Sequence, residues 1–284
     1  MGRKSAFTLI ELLVVIGIIA LLMAVLLPSL QRVRKQAKAA VCLSHLRQWG
    51  TTFTLVLEDK DGRLPRWAQR TEDDCDPRFS LLRGMYLGGR PDVNVPGRYN
   101  PVRTDKIACC PMATKVGGRG TFRASRNGQL YVEGTWGSTF TAWEMTTPPP
   151  AFRMSYGLND DLFTVFFDVR QTGRMSPYTY VFASRGLENV PLLFDSARPA
   201  CVLSSEKEPA PAQDLPDLTV QVCINRHSGT INVLFLDCSV KRVGLKGLWT
   251  LQWRRDFNTK GPWTKAGGVK PEDWPPWMRK FKDY

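Results

Sequence analysis

The first fifth of the chain is organised by two successive helical patterns. Residues 12 to 27, LLVVIGIIALLMAVLL, are sixteen uncharged and almost wholly apolar positions, and with Phe7 to Glu11 the stretch reaches 21 residues. At a rise of about 1.5 Å per residue this makes a helix of about 31 Å, the thickness of a hydrocarbon core. Pro28 removes one backbone hydrogen bond and is a kink site. Beyond it Leu30, Val33, Ala37, Val41, Leu46, Trp49, Phe53 and Leu57 recur at near-helical spacing, which predicts an amphipathic continuation to about residue 57. That stripe is expected to bury against a sheet while Arg32, Arg34, Lys35 and Lys38 stay in water. The turn Asp59-Lys60-Asp61-Gly62 ends the helix.

From residue 58 to 247 the pattern changes to short β-rich runs between Gly and Pro clusters: Leu130 to Val132, Thr164 to Phe167, Tyr178 to Phe182 and Val220 to Ile224. Ile231 to Leu236 reads as a buried strand. Val240 to Val243 is its hairpin partner, turned by Asp237, Cys238 and Ser239, although a Gly at position 238 would take a positive φ more readily. Pro148-Pro149-Pro150 and Glu206 to Pro216 read as surface linkers. The tail, residues 248 to 284, holds five of the nine tryptophans, Trp249, Trp253, Trp263, Trp274 and Trp277, among basic residues. Packing over the domain, a membrane or partner surface, and a glycan-stacking platform all suit such side chains, which bury a large area and keep one polar handle.

Composition adds one distinction. The chain has 284 residues, 43% hydrophobic and 23% charged, the profile of a globular core rather than a disordered segment. Its net charge of +13 is concentrated at the ends: residues 1 to 38 carry +5, residues 241 to 284 carry +7, and the 202 between them carry +1. Basic ends beside an apolar span suit anionic headgroups, or simple solubility, and no nucleic-acid partner is expected.

Within the apolar stretch the anomaly is Glu11. A carboxylate there costs free energy unless it reaches the interface or finds a cation, so it is a functional candidate. The run Lys4-Ser5-Ala6-Phe7-Thr8-Leu9-Ile10-Glu11 resembles the processing site of type IV prepilins and type II secretion pseudopilins. That resemblance implies cleavage between Ala6 and Phe7 by prepilin peptidase, N-methylation of Phe7, and pairing of Glu11 with the new amine of a neighbouring subunit. Two buried opposite charges stabilise each other only when brought together, which would make Glu11 a device for axial register. The departure is Ala6, where the family usually has Gly. An ordinary secretory signal would explain Arg3 and Lys4 but not Glu11. Arg3 and Lys4 on one side of the span face Arg32, Arg34, Lys35 and Lys38 on the other, so the outward placement of the domain rests on the resemblance and not on charge.

Further fragments resemble a subgroup of pseudopilin-like proteins with large outer domains. They are Cys42-Leu43-Ser44-His45-Leu46-Arg47-Gln48, Glu58 to Pro65, Cys110-Pro111, Ser155-Tyr156-Gly157-Leu158-Asn159, Pro191 to Asp195, and His227 to Cys238. The last resembles an H-x9-D-G element, with Cys238 where Gly is expected. His227 and Asp237 bracket the predicted strand, and about 30 Å of extended chain keeps them apart. His227 is expected to be structural, satisfied by a loop carbonyl. No G-x-S-x-G element presents a serine, and catalysis is not expected.

The seven cysteines form no C-x-x-C pair and no zinc pattern, so no metal is expected. Outside the cytoplasmic membrane disulfides are permitted, with one thiol left over. The vicinal pair Cys109 and Cys110 would supply one partner rather than bond to itself, and Cys42 and Cys110 are the candidate pair. Calcium is held in a loop by some pseudopilins, and Asp59-x-Asp61-Gly62 opens like a calcium loop, but Arg70 stands where the bidentate Glu belongs and a plain turn is favoured. Acidic residues at Glu72 to Asp76 and Asn159 to Asp161 read as solvated loops.

The chain is thus expected to be an α+β, pilin-like protein: a leader at 1–6, a membrane and assembly helix at 7–27, its amphipathic continuation at 28–57, an outer β-rich domain at 58–247 and the tail at 248–284. The implied setting is the inner membrane, single-pass, with the outer domain in the periplasm, and a filament after assembly. The implied role is assembly with other pseudopilins or copies of itself in a type II secretion pseudopilus or type IV pilus-like filament. The alternative is a tethered outer domain that binds polysaccharide or secreted cargo.

Overall fold

A computed structural model describes residues 9–58, 61–62, 82–86, 104–117, 120–126, 129–147, 149–162, 185–201, 203–212 and 222–283. The candidate strands at 164–167 and 178–182, the acidic run at 72–76, Cys75, and the processing pair Ala6 and Phe7 lie outside these residues.

Helix α1 is unbroken from Leu9 to Glu58, with Pro28 inside it. It stops where Asp61 and Gly62 turn to positive φ, 52° and 74°, and Gly62 N–H reaches back to Leu57 O at 2.7 Å. This backward bond from a left-handed residue satisfies a terminal carbonyl of the helix.

Two sheets follow. Strands β1 (Thr121–Arg126), β2 (Gln129–Thr135), β3 (Trp143–Thr147) and β4 (Phe152–Met154) form an antiparallel meander in chain order. The second sheet has β5 (Tyr156–Asn159), β6 (Pro191–Asp195), β7 (Ala200–Cys201), β8 (Thr230–Phe235) and β9 (Val240–Gly244), ordered β7-β5-β6-β8-β9. It is antiparallel except for the parallel pair β5 and β7, so the expected antiparallel sheet is mixed at one edge. The hairpin of β8 and β9 matches the sequence pattern.

Strand β8 shows why both its faces are apolar. Successive side chains alternate sides. Leu234 joins Leu46, Trp49 and Phe53 of α1 in one core. Ile231, Val233 and Phe235 join Trp249, Trp253 and Trp274 in another. The second sheet is therefore covered by α1 on one face and by the tryptophan-rich tail on the other. Trp249 Nε1 donates to Lys207 O and Trp277 Nε1 to Ala210 O, each at 2.9 Å, so the part of the expected linker at 206–212 is held down by the tail.

Three expectations are corrected. The apolar stripe of α1 buries only from Ala39 onward; Leu30 and Val33 stay exposed because the sheet reaches only the carboxyl-terminal part of the helix, and Val41 stays exposed because it lies off the face that carries Cys42, Leu46 and Trp49. Residues 222–224 are not a strand: Ile224 N–H bonds Val222 O and Arg226 N–H bonds Ile224 O, both at 2.9 Å, tight turns that use the groups a ladder would need. Asn159 is not a solvated loop residue but fully buried, donating to Pro191 O at 2.9 Å and Trp253 O at 2.8 Å.

Candidate functional site

The structure presents two regions of chemical interest. The first is the amino-terminal part of α1. Among the described residues α1 is the one helix long and apolar enough to cross a membrane, and its most apolar stretch has no buried residue. Every side chain from Leu9 to Leu27 is exposed, including Glu11 in the first turn. An apolar surface of this extent needs a covering medium or partner.

The second region is buried and was not foreseen. Cys42 of α1, Cys110 of the loop 104–117, Asp195 at the end of β6 and His227 in the turn before β8 converge, and one donor atom from each lies within 4.8 Å of all the others. Each comes from a different element, which is why no local spacing announces the group. Cys110 is fixed by its N–H to Ser155 Oγ at 2.7 Å. Asp195 stands opposite Tyr156 in the β5 and β6 ladder. His227 opens a tight turn whose next two residues, Ser228 and Gly229, have φ of 55° and 87°, and Thr230 Oγ1 closes it on His227 O at 2.8 Å.

His227 is thus not held through a loop carbonyl. Its Nε2 lies 3.1 Å from Asp195 Oδ2 and 3.5 Å from Cys110 Sγ, while Nδ1 is buried without a partner among the described residues. Asp237, its bracket partner in the sequence, sits in the exposed β8 to β9 turn, capping Ser239 N–H at 2.9 Å. Cys42 Sγ is 3.2 Å from Tyr156 Oη and 3.7 Å from Asp195 Oδ1. Cys42 and Cys110 are both free thiols in the structure.

Arg226 closes the site from the far side. Its five N–H donors reach Thr139 O (2.7 Å), Ser155 O (2.6 Å), Asp195 Oδ1 (3.0 Å), Ser138 O (3.0 Å) and Ser196 O (3.3 Å). That full set is what makes a completely buried guanidinium tolerable. Asp195 Oδ2 also accepts Asn232 N–H at 2.8 Å. Burial would raise the Asp195 pKa, but His227, Arg226 and Asn232 together hold it below the ordinary range. Burial pulls His227 down, and Asp195 and Cys110 outweigh it, lifting the imidazole to about 9. Burial raises the Cys42 thiol well above its usual value.

The group does not form a Cys–His–Asp relay. A relay needs the carboxylate on one ring nitrogen and the nucleophile on the other. Here Asp195 and Cys110 meet the same nitrogen, and Cys110 is fully buried. The fragments singled out in the sequence supply Cys42, Cys110, Tyr156, Asp195 and His227; only Arg226 carried no signal beyond adjacency to His227.

Comparison with known proteins bears on the first region. The family model of the prokaryotic N-terminal methylation motif matches residues 1–27. No curated protein and no solved structure matches the chain. The motif, followed by the long apolar helix and a β-sheet body, fits a pseudopilin or type IV pilin-like protein, a prepilin peptidase substrate anchored in a membrane.

Proposed function

We propose that this protein is a structural subunit of a type II secretion pseudopilus or a type IV pilus-like filament. The observation that carries the reading is the methylation motif at 1–27 leading into helix α1, whose first half from Leu9 is wholly exposed and whose second half is built into the domain. A filament core supplies the cover that the exposed half lacks, and the membrane supplies it before assembly. In this reading prepilin peptidase cuts between Ala6 and Phe7, Phe7 is methylated, and Glu11 sets the axial register against the amine of a neighbouring copy or another pseudopilin. The outer domain then lies in the periplasm.

Intact-mass and amino-terminal analysis of membrane-extracted protein, made together with its prepilin peptidase, tests this. The expected product begins at methylated Phe7. An intact amino terminus, or cleavage beyond residue 20, would remove the support for assembly and leave a tethered or secreted binding domain as the better account.

A further inference from the structure

We propose that Cys42, Cys110, Asp195 and His227 form a buried binding site for a single zinc ion, which ties the membrane helix to three separate parts of the outer domain. The proposal does not depend on filament assembly.

The donor set comes first. Two thiols, an imidazole and a carboxylate are ligand types that zinc takes in four-coordinate sites, and the sulfur pair disfavours calcium and magnesium. Geometry comes second. With the usual bond lengths, a tetrahedral zinc places its ligand atoms about 3.3 Å apart for N and O, about 3.5 Å for N and S or O and S, and about 3.8 Å for two sulfurs. With Asp195 Oδ2 as the carboxylate donor, the separations found are 3.1 Å to His227 Nε2 and 3.9 Å to Cys42 Sγ, and His227 Nε2 lies 3.5 Å from Cys110 Sγ. All four donors fall inside 4.8 Å. Convergence of the carboxylate and a thiol on one ring nitrogen fails as a relay but suits donors that share a central ion.

Charge and surroundings agree. Two thiolates and one carboxylate are balanced by Zn2+ together with Arg226, so the buried group is neutral with the ion bound. Binding displaces the protons held by the thiols and by the His227 imidazole, and these leave to solvent. The outer contacts are those that orient ligands: Arg226 Nη1 and Asn232 N–H hold Asp195, and Tyr156 Oη lies against the Cys42 sulfur. All four ligand residues are buried.

The rival occupant of this space is a Cys42–Cys110 disulfide, and one set of measurements separates them. The full-length chain is purified in detergent from membranes without a histidine tag, chelator or reductant. Its zinc content is measured by plasma mass spectrometry, and its cysteines are mapped after denaturation in excess alkylating agent. Zinc is then exchanged for Co2+ and the absorption spectrum recorded. The expected result is one zinc per chain, Cys42 and Cys110 both alkylated, and a thiolate-to-cobalt charge-transfer band. Cys110→Ser should lower the zinc content at least several-fold, while Cys201→Ser, at a buried thiol that bonds Ser196 Oγ outside the group, should leave it unchanged. Background zinc in cooperatively melting wild-type protein, a linked Cys42–Cys110 peptide, a cobalt spectrum without the thiolate band, or full zinc in Cys110→Ser would each overturn the proposal. The wild-type arms decide the matter even if the serine variant does not fold.

Discussion

Asp161 shows how a single side chain can be set against the stability of its own fold. It follows β5 with its carboxylate largely buried, 3.7 Å from Arg254 Nη1, beside Asp160 and Asp256. Burial raises its pKa to about 6, Arg254 offsets part of that, and the two neighbouring acids add to it. The folded value lies above the unfolded one, so the folded chain holds this proton more tightly. Stability from this group is full below about pH 4 and is lost as pH rises through about 6, a change of about 3 kcal/mol. Asp161→Asn should therefore raise the melting temperature at pH 7.5, with the gain shrinking towards zero at pH 4.5. Thermal melts of the detergent-solubilised protein at the two pH values check it.

Cys238 is a second residue-scale case. Its φ of 64° is the left-handed conformation the turn between β8 and β9 demands, as the turn pattern around Asp237 and Ser239 led one to expect. What the local pattern could not reveal is that its sulfur approaches Thr54 Oγ1 of α1 at 3.2 Å, a contact across 184 positions of the chain.

At the scale of elements, α1 is one helix with two environments. Up to Leu27 its sides are exposed all round, whereas from Ala39 it buries a stripe that includes Cys42, Leu46, Trp49 and Phe53. Trp49 is fully buried, packs on Phe53 with centroids 6.1 Å apart, and donates Nε1–H to Ile107 O at 3.0 Å. Trp49→Ala should cost about 3–5 kcal/mol, from lost burial, a residual cavity and an orphaned carbonyl. Denaturant unfolding with the outer-domain tryptophans as probe would measure it, and a loss below about 1 kcal/mol would mean the helix is not anchored through this side chain.

At the scale of the whole molecule, the second sheet is a slab with a membrane-rooted helix on one face and the tail on the other. Trp253 ties the tail down, edge-on to Phe194 at 5.1 Å, with Nε1–H on Leu248 O at 2.8 Å. Of the three readings of the tail, packing over the domain is the one these contacts support. In the proposed filament, axial register is assigned to Glu11, which is exposed on α1. Glu11→Gln should leave membrane insertion and outer-domain folding unchanged and reduce incorporation into sheared or cross-linked filaments at least tenfold. Full incorporation of the neutral variant would refute the register role.

The sequence by itself determined what depends on short-range pattern. The length of the apolar run, the position of Glu11 within the prepilin-like motif, the helix that runs on past Pro28, and the β8 to β9 hairpin follow from periodicities of 3.6 and 2 and from local turn chemistry, all contained in windows of at most about 30 residues. Tertiary structure decided the rest. Val33 is as apolar a helix position as Leu46 and Trp49, but only the latter pair meets the sheet, because burial depends on where the sheet lies and not on the helix alone. Val222 and Ile224 are apolar enough for a strand, yet their backbone is spent on turns that deliver Arg226 and His227. The group of Cys42, Cys110, Asp195 and His227 has no sequence spacing to find, since folding brings its members from four elements to within 4.8 Å. Composition can show that such residues exist; only the packing of α1 on the sheet makes them neighbours.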